Sequence, residues 1–288
     1  MNDLPERVLS WYAEHQRDLP WRRPGTTPWS VMVSEFMLQQ TPVARVLPVH
    51  EAWLDRWPTP SALADETSGE AVRAWGRLGY PRRALRLHAA ATVIRDEHGG
   101  EVPDTYEQLL ALPGVGDYTA AAIASFAFGR RHVVLDTNVR RVLARTLTAA
   151  EFAAPAVTRA ERDLAGSVLP GSDEDAAAWA AASMELGAVI CTAARPACER
   201  CPVVDLCAWH AAGRPAYDGP ARKVQDYAGT DRQCRGRLLA VVRDADSPVP
   251  RGRLEAEWHL PEQRDRALAS LLADGLLAEV EPGWFALP

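Results

Sequence analysis

Between residues 106 and 128 the chain carries the turn Leu112-Pro113-Gly114-Val115-Gly116, with a helical pattern on either side of it. Before the turn, Tyr106, Leu109, Leu110 and Leu112 fall on one face at helical spacing. After it, residues 117–128 are rich in alanine and other small side chains, which favours a helix that packs closely on a neighbour. Two glycines around one valine allow backbone angles and close approaches that side chains would block. The unit is helix, tight hairpin, helix, and a chain built around it is expected to be helical. Such a hairpin can be no more than a glycine cap between packed helices. It can equally aim backbone N–H groups of Gly114, Val115 and Gly116 at a phosphate, which requires no side-chain charge. The turn alone leaves both readings open. Downstream, the apolar run Val133-Val134-Leu135 delivers Asp136 to the head of a segment carrying Arg140, Arg141 and Arg145.

Charge bears on that choice. The formal net charge of −6 argues weakly against nucleic acid as a partner, but clustered basic residues matter more than a total. Arg73, Arg77, Arg82, Arg83 and Arg86 lie close together, and Arg130, Arg131, Arg140, Arg141 and Arg145 form a second group opposed only by Asp136. A solvated helical face explains either group alone; two groups bracketing the hairpin suit a phosphate backbone better. A length of 288 residues with 47% hydrophobic and 24% charged content is enough for one large or two smaller cored domains. No apolar run approaches the ~20 residues that span a bilayer, and the start, with Asp3 and Glu6, lacks the basic and apolar regions of a signal peptide. A cytoplasmic protein is expected.

Along the chain, an amphipathic helix is expected over 4–15 from Leu4, Val8, Leu9, Trp11 and Tyr12. Leu19-Pro20-Trp21-Arg22 breaks it, and a second helix follows over 30–40 with Val31, Val33 or Ser34, Met37 and Leu38 inward. Glu35 stands among them. A carboxylate between such neighbours is either a surface position or a group with a raised pKa, the condition for a general acid near neutrality. Gln39-Gln40-Thr41-Pro42 closes that helix with polar side chains that could reach a base or its backbone. From 43 to 87 short helices are expected, parted by Pro48, Pro58, Pro60 and Gly69. Tyr80 lies between Gly79 and Pro81 with arginines near; core packing is its default, although an exposed aromatic on a rigid turn can wedge into a base stack. A further helix runs over 84–96, and no strand-rich stretch precedes the last sixty or so residues, so the class is mainly α.

Four cysteines, Cys191, Cys198, Cys201 and Cys207, are spaced C-x6-C-x2-C-x5-C. Without a secretion signal they indicate a metal site rather than disulfides. Zinc takes four thiolates, and so does an iron–sulfur cluster.

Hairpin, aspartate and cysteines stand in the order found in the helix-hairpin-helix DNA glycosylases of the endonuclease III superfamily. Over roughly residues 4–210 the chain resembles that family, and within it the MutY type of adenine glycosylase. The resemblance implies a six-helix barrel at about 28–135 and an iron–sulfur module with its cluster loop at 191–207, both inside a glycosylase region of 1–214. It implies a 4Fe–4S cluster on the four cysteines. Endonuclease III has a lysine nucleophile where this chain has Tyr118, so no Schiff base and little or no strand cleavage are expected. The segment 33–41, VSEFMLQQT, resembles the MutY stretch bearing its catalytic glutamate. The resemblance makes Glu35 the acid that protonates adenine, and Asp136 the carboxylate that stabilises the oxocarbenium or bonds to it as in retaining glycosidases. Tyr118 and Asn138 then orient the pair. Leu19, Trp21 and Arg22 line the adenine pocket; Gln39, Gln40, Thr41 and Tyr80 meet the DNA around the opposite base. The implied partner is double-stranded DNA with adenine mispaired with 8-oxoguanine or guanine, bound by a monomer at the nucleoid. A thymine or uracil mismatch glycosylase, and a non-catalytic iron–sulfur DNA-binding protein, are the alternatives.

Three departures stand out. Ala181 occupies a place where MutY proteins often carry a residue that reaches the adenine edge, and Pro81 replaces an aromatic that commonly follows the wedge tyrosine. MutY enzymes usually add a Nudix-like domain, whereas only 65 residues follow Lys223 here. After a linker at 215–230, marked by Pro215, Gly219 and Pro220, helices are expected over 235–245, 251–258 and 261–273 and a β-hairpin over 275–287. That is the outline of a small winged-helix-like domain, 231–288, a form that contacts DNA or serves only as a packing module.

Overall fold

The computed structural model describes residues 3–219 and 227–288; the linker positions from Pro220 to residue 226 lie outside the described residues. Its helices in chain order are α1 (Leu4–His15), α2 (Pro28–Leu38), α3 (Val43–Arg56), α4 (Pro60–Ala64), α5 (Ser68–Trp75), α6 (Arg82–Glu97), α7 (Tyr106–Ala111), α8 (Asp117–Phe128), α9 (Thr137–Thr148), α10 (Arg159–Ser167), α11 (Asp173–Val189), α12 (Ala208–Ala211) and α13 (Asp231–Arg243). Strand β1 (Val249–Pro250), α14 (Arg251–Glu255), α15 (Pro261–Ala273), β2 (Ala278–Glu281) and β3 (Trp284–Ala286) complete the chain. The expected helices over 4–15, 117–128 and 261–273 are present with those limits. Capping side chains explain many of the starts: Thr59, Thr67, Thr158, Ser172 and Thr230 each accept a hydrogen bond from the N–H three residues on.

Two of the expected breaks are not breaks. Pro48 lies inside α3. Its ring removes the hydrogen bond to the carbonyl of Ala44, but Ala44 is exposed and water can serve that carbonyl instead. Gly69 is the second residue of α5; it is there because the chain's end lies on it, with its N–H donating to Pro288 O at 2.8 Å. A Cβ at Gly69 would stand 2.3 Å from that oxygen. In α7 the face is narrower than expected: Leu109 and Leu112 are buried, while Leu110 is 38% exposed.

The chain forms two compact units. The first comprises residues 1–35, 104–111 and 115–220. In it α1, α9 and α11 meet in a core of Leu4, Val8, Val142, Leu143, Trp179 and Leu186. The alanines of α8 let it pack on α11, where Ala121, Ala122, Val134 and Ala180 form a buried cluster with Tyr118, Phe126 and Met184 packed against it.

The second unit comprises 36–103, 112–114 and 221–288. Trp53 stands edge-to-face against Trp57 (centroids 4.7 Å apart, 71°) and Trp75 (5.7 Å, 82°), fixing α3 against α5. The C-terminal residues share this unit. Arg73 donates to the carbonyls of Arg243 and Ala245, and Arg243 Nη1 donates to Gly76 O at 2.7 Å. Three helices and a hairpin are present as expected, and a strand that the sequence did not show is added. Val249 pairs with Phe285, giving a three-stranded antiparallel sheet in the order β1-β3-β2. Two residues of β1 are too few to leave a periodic signature.

Candidate active site

Residues Val31 to Met37 of α2 are all buried, and the carboxyl of Glu35, 5% exposed, stands among mostly apolar neighbours and is largely withdrawn from water. Burial pushes that carboxyl up to about 7. A hydrogen bond from Tyr118 and the positive charge of Arg22 pull it down, and the negative charge of Asp136 pushes it up again. Tyr118, in the first turn of α8, donates its hydroxyl to Glu35 Oε2 at 3.0 Å. Burial and the two carboxylates hold the phenol well above its ordinary range, so it remains a donor. Residues 35, 118 and 136 are thus gathered in the first unit.

Asp136 is the N-cap of α9. Its Oδ1 accepts the N–H groups of Asn138 (2.9 Å) and Val139 (2.6 Å), and its Oδ2 accepts Asn138 Nδ2 at 2.7 Å. Burial raises its pKa, while these donors and the Arg141 charge oppose the rise. The aspartate can carry charge because the helix start supplies its partners. Asn138 is fixed in turn: its Oδ1 accepts Arg141 Nη2 at 2.7 Å, and Arg141 also donates to Gly187 O (2.6 Å) and Cys191 O (2.7 Å). Gly187 of α11 lies directly on Asn138. A Cβ there would stand 2.7 Å from Asn138 Cβ and 2.8 Å from its carbonyl oxygen.

Leu19 and Trp21 are buried beside a 3-10 turn, Pro20–Arg22, that places Arg22 over the Tyr12 ring, 5.9 Å from its centroid. A residue the sequence reading missed holds this corner. Glu185, with no exposed side-chain surface, takes Arg17 Nε at 2.5 Å and Arg22 Nη1 at 2.8 Å. Burial pushes its carboxyl up, but the two arginines outweigh that and hold it below its ordinary value. Its only sequence signal is a carboxylate in the C-terminal half of an alanine-rich helix. Ala181 lies one turn earlier on that same face of α11.

The other residues expected to meet DNA lie in the second unit. Gln40 (φ 56°) and Tyr80 (φ 48°) are both non-glycine residues in the left-handed region, a strained state that surrounding structure must hold. Arg83 does so from beneath. Its Nη1 donates to Phe36 O (2.8 Å), Met37 O (3.1 Å) and Gln39 O (2.6 Å), and its Nη2 to Gly79 O (3.0 Å) and Thr41 Oγ1 (3.1 Å). Thr41 faces inward and gives its own hydroxyl to Leu78 O at 3.3 Å. Gln40 and Tyr80 face outward.

The arginine groups are not uniformly free: several members bond inside the protein, while Arg130 and Arg131 bond at the surface. Besides Arg83 and Arg141, Arg73 holds the C-terminal segment, Arg130 pairs with Asp104, Arg140 with Glu161, and Arg131 binds Pro170 O. Sequence clustering could not reveal carbonyl and carboxylate partners 14 to 172 residues away. In the hairpin, Gly114 takes φ +80°, and a Cβ there would strike the Arg86 side chain at 2.6 Å. Gly116 differs: its φ is −110° and a Cβ would enter open space. Nothing inside the protein requires a glycine at 116.

Cys191, Cys198, Cys201 and Cys207 are free thiols lining one cavity with Val142, Ile190 and Trp209. Arg145, 1% exposed, closes it, donating to Cys191 Sγ at 3.3 Å and Thr192 O at 2.8 Å. Four thiols on one cavity are a donor set that zinc and an iron–sulfur cluster both take.

Residues 33–166 match the HhH-GPD superfamily of base excision DNA repair proteins. The chain is 54% identical to an adenine DNA glycosylase of Mycobacterium tuberculosis over 283 residues, 98% of this chain and 92% of the relative. It is 53% identical to the adenine DNA glycosylase of Mycolicibacterium smegmatis, covering 100% of this chain and 97% of the relative. Among solved structures it superposes on a thermostable thymine-DNA glycosylase with a TM-score of 0.65 and 26% identity, covering 73% of this chain and 95% of that one. Endonuclease III in a non-covalent DNA complex gives a TM-score of 0.62 at 21% identity, with 73% and 94% covered, and bears on the fold alone.

Proposed function

Because the chain belongs to the HhH-GPD superfamily and, within it, to the adenine DNA glycosylases of base excision repair, we propose that Glu35 and Asp136 are the acid and the carboxylate that release mispaired adenine. The observation that carries this reading is Glu35 itself: a carboxyl buried to the point of holding its proton near pH 7, hydrogen-bonded to Tyr118 and within the field of Asp136. Glu35 gives its proton to N7 of the extruded base as the glycosidic bond lengthens. Asp136, with both oxygens held by Asn138 and Val139, stabilises the positive sugar or bonds to it, and ionised Glu35 then activates water. Tyr118 and Asn138 set the orientation of the two carboxyls.

Tyr118 provides no amine, so the enzyme is monofunctional. Leu19, Trp21 and Arg22 line the adenine pocket, and Gln39, Gln40 and Tyr80 engage the DNA around the opposite base, 8-oxoguanine or guanine. The open space at Gly116 supports the hairpin as a phosphate anchor. Cys191, Cys198, Cys201 and Cys207 would hold a 4Fe–4S cluster, which supplies covalent ties for the loop 191–207. No described helix is long and apolar enough to cross a membrane, and we place a monomer in the cytoplasm at the nucleoid.

Glu35→Gln tests the mechanism. On a duplex with adenine opposite 8-oxoguanine it should release base roughly 100- to 10,000-fold more slowly and bind the duplex as the parent does. A variant that excises at the parent's rate removes Glu35 from the chemistry.

A further inference from the structure

The winged-helix outline of the C-terminal segment suggests DNA contact through α15 and the β2–β3 wing, but the side chains there speak against it. On the wing, Glu279 and Glu281 are exposed, and α15 begins with Glu262 and Asp265. Its arginines are largely neutralised: Arg235 pairs with Asp274, Arg251 with Glu255 and Asp265, Arg264 with Glu255, and Arg266 with Asp231.

The start of α13 is different. Arg232 is exposed and, among the described residues, has no carboxylate partner. Its guanidinium lies over the ring of Tyr80, 4.9 Å from the centroid, and 5.6 Å from the ring of Tyr227. Both rings are open, Tyr80 44% and Tyr227 52% exposed. Tyr80 has a left-handed backbone, and the Arg83 guanidinium also lies over its ring, 5.4 Å from the centroid. Arg77 and Arg86, also exposed, flank the same turn without carboxylate partners among the described residues. The helix that carries Arg232 is anchored at its far end by the bonds between Arg73, Arg243 and Gly76. Two half-exposed aromatic rings around a guanidinium with no carboxylate partner among the described residues match the needs of nucleic acid, with aromatic surface to pack on sugar or base and a fork of donors for phosphate.

We propose that Tyr80, Arg232 and Tyr227 form a contact surface for the DNA strand carrying the base opposite the excised adenine. The C-terminal segment then reads DNA through the first turn of α13 and not through its wing. This rests on the reading of Tyr80 as facing the opposite base. In that arrangement Arg232 donates to a phosphate of that strand while Tyr227 covers its sugar or base.

The test measures affinity of the full chain for a duplex with adenine opposite 8-oxoguanine across a range of salt. Arg232→Ala should bind about tenfold more weakly at low salt and lower the log–log salt slope by about one; Arg232→Lys should recover the slope. Arg253→Ala, an exposed arginine on α14, should match the parent. Arg232 is exposed, and an unchanged circular dichroism melt will show that the fold survives. Parental binding by Arg232→Ala, with weak binding by Tyr80→Ala, would overturn the proposal and leave the reading of Tyr80 standing. Parental binding by both would overturn both, and an equal loss in Arg253→Ala would reduce Arg232 to general surface charge.

Discussion

Glu35 holds its proton because an apolar helix surrounds it, and this single fact has two consequences that differ in kind. For activity, the proposed mechanism makes the protonated acid the reactive form, so adenine release should decline as pH rises through about 7, by up to tenfold per unit once Glu35 is ionised. Single-turnover rates across pH check this, and a flat profile between 6 and 9 would contradict it. For stability the sign runs the same way: the folded protein disfavours the charged form, so it loses stability between the ordinary carboxylate pKa of 4.5 and about 7. Glu35→Gln escapes that cost and should gain up to about 3 kcal/mol over the parent at pH 8 relative to pH 4, read from paired denaturant titrations. Glu35 was visible as an anomaly in the sequence, an acid between apolar neighbours, and burial decided between its two readings. Glu185 was not visible in that way. Its partners Arg17 and Arg22 are 168 and 163 residues distant, and only the packing of the 3-10 turn on α11 unites them.

At the scale of elements, the site depends on how closely α11 approaches α9. Gly187 permits it, and its neighbour there is Asn138, which holds Asp136. Gly187→Ala should therefore cost about 1–3 kcal/mol in stability and lower the adenine release rate more than tenfold, as Asn138 is pushed off Asp136. A thermal melt and a single-turnover assay on one preparation would separate the two losses; a stable variant with full activity would show that the contact relaxes harmlessly. Helix limits were legible where local chemistry sets them, as at α1, α8 and α15. They were not legible where a long-range partner intervenes, as with Gly69 beneath the chain's end. Pro48 was misleading for a plainer reason: near an exposed helix start, the lost hydrogen bond goes to water.

On the scale of the whole molecule, each compact unit gathers distant stretches of chain. The first joins 1–35 to 104–111 and 115–220, and the carboxyls of Glu35 and Asp136 come within each other's field there. The four cysteines lie in this unit too, with Arg145 and Arg141 reaching from α9 to the cluster loop. If the four cysteines hold the proposed iron–sulfur cluster, purified protein is brown. Stripping the metal with a chelator after oxidation should bleach it and expose the loop 191–207 to protease, while the tryptophan-rich core of the second unit keeps its fluorescence. A colourless, zinc-loaded protein would refute the cluster. What the sequence determined by itself was local and chemical: the glycine hairpin and the helices beside it, the thiolate donor set, the absence of a lysine at position 118, and an acid placed among apolar residues. The tertiary structure alone decided which charges are in use. Burial and partners far along the chain turned Arg83, Arg140, Arg141 and Arg145 inward, raised the Glu35 carboxyl, tied Arg22 to Glu185, and left Arg232 on the ring of Tyr80 with no carboxylate partner among the described residues.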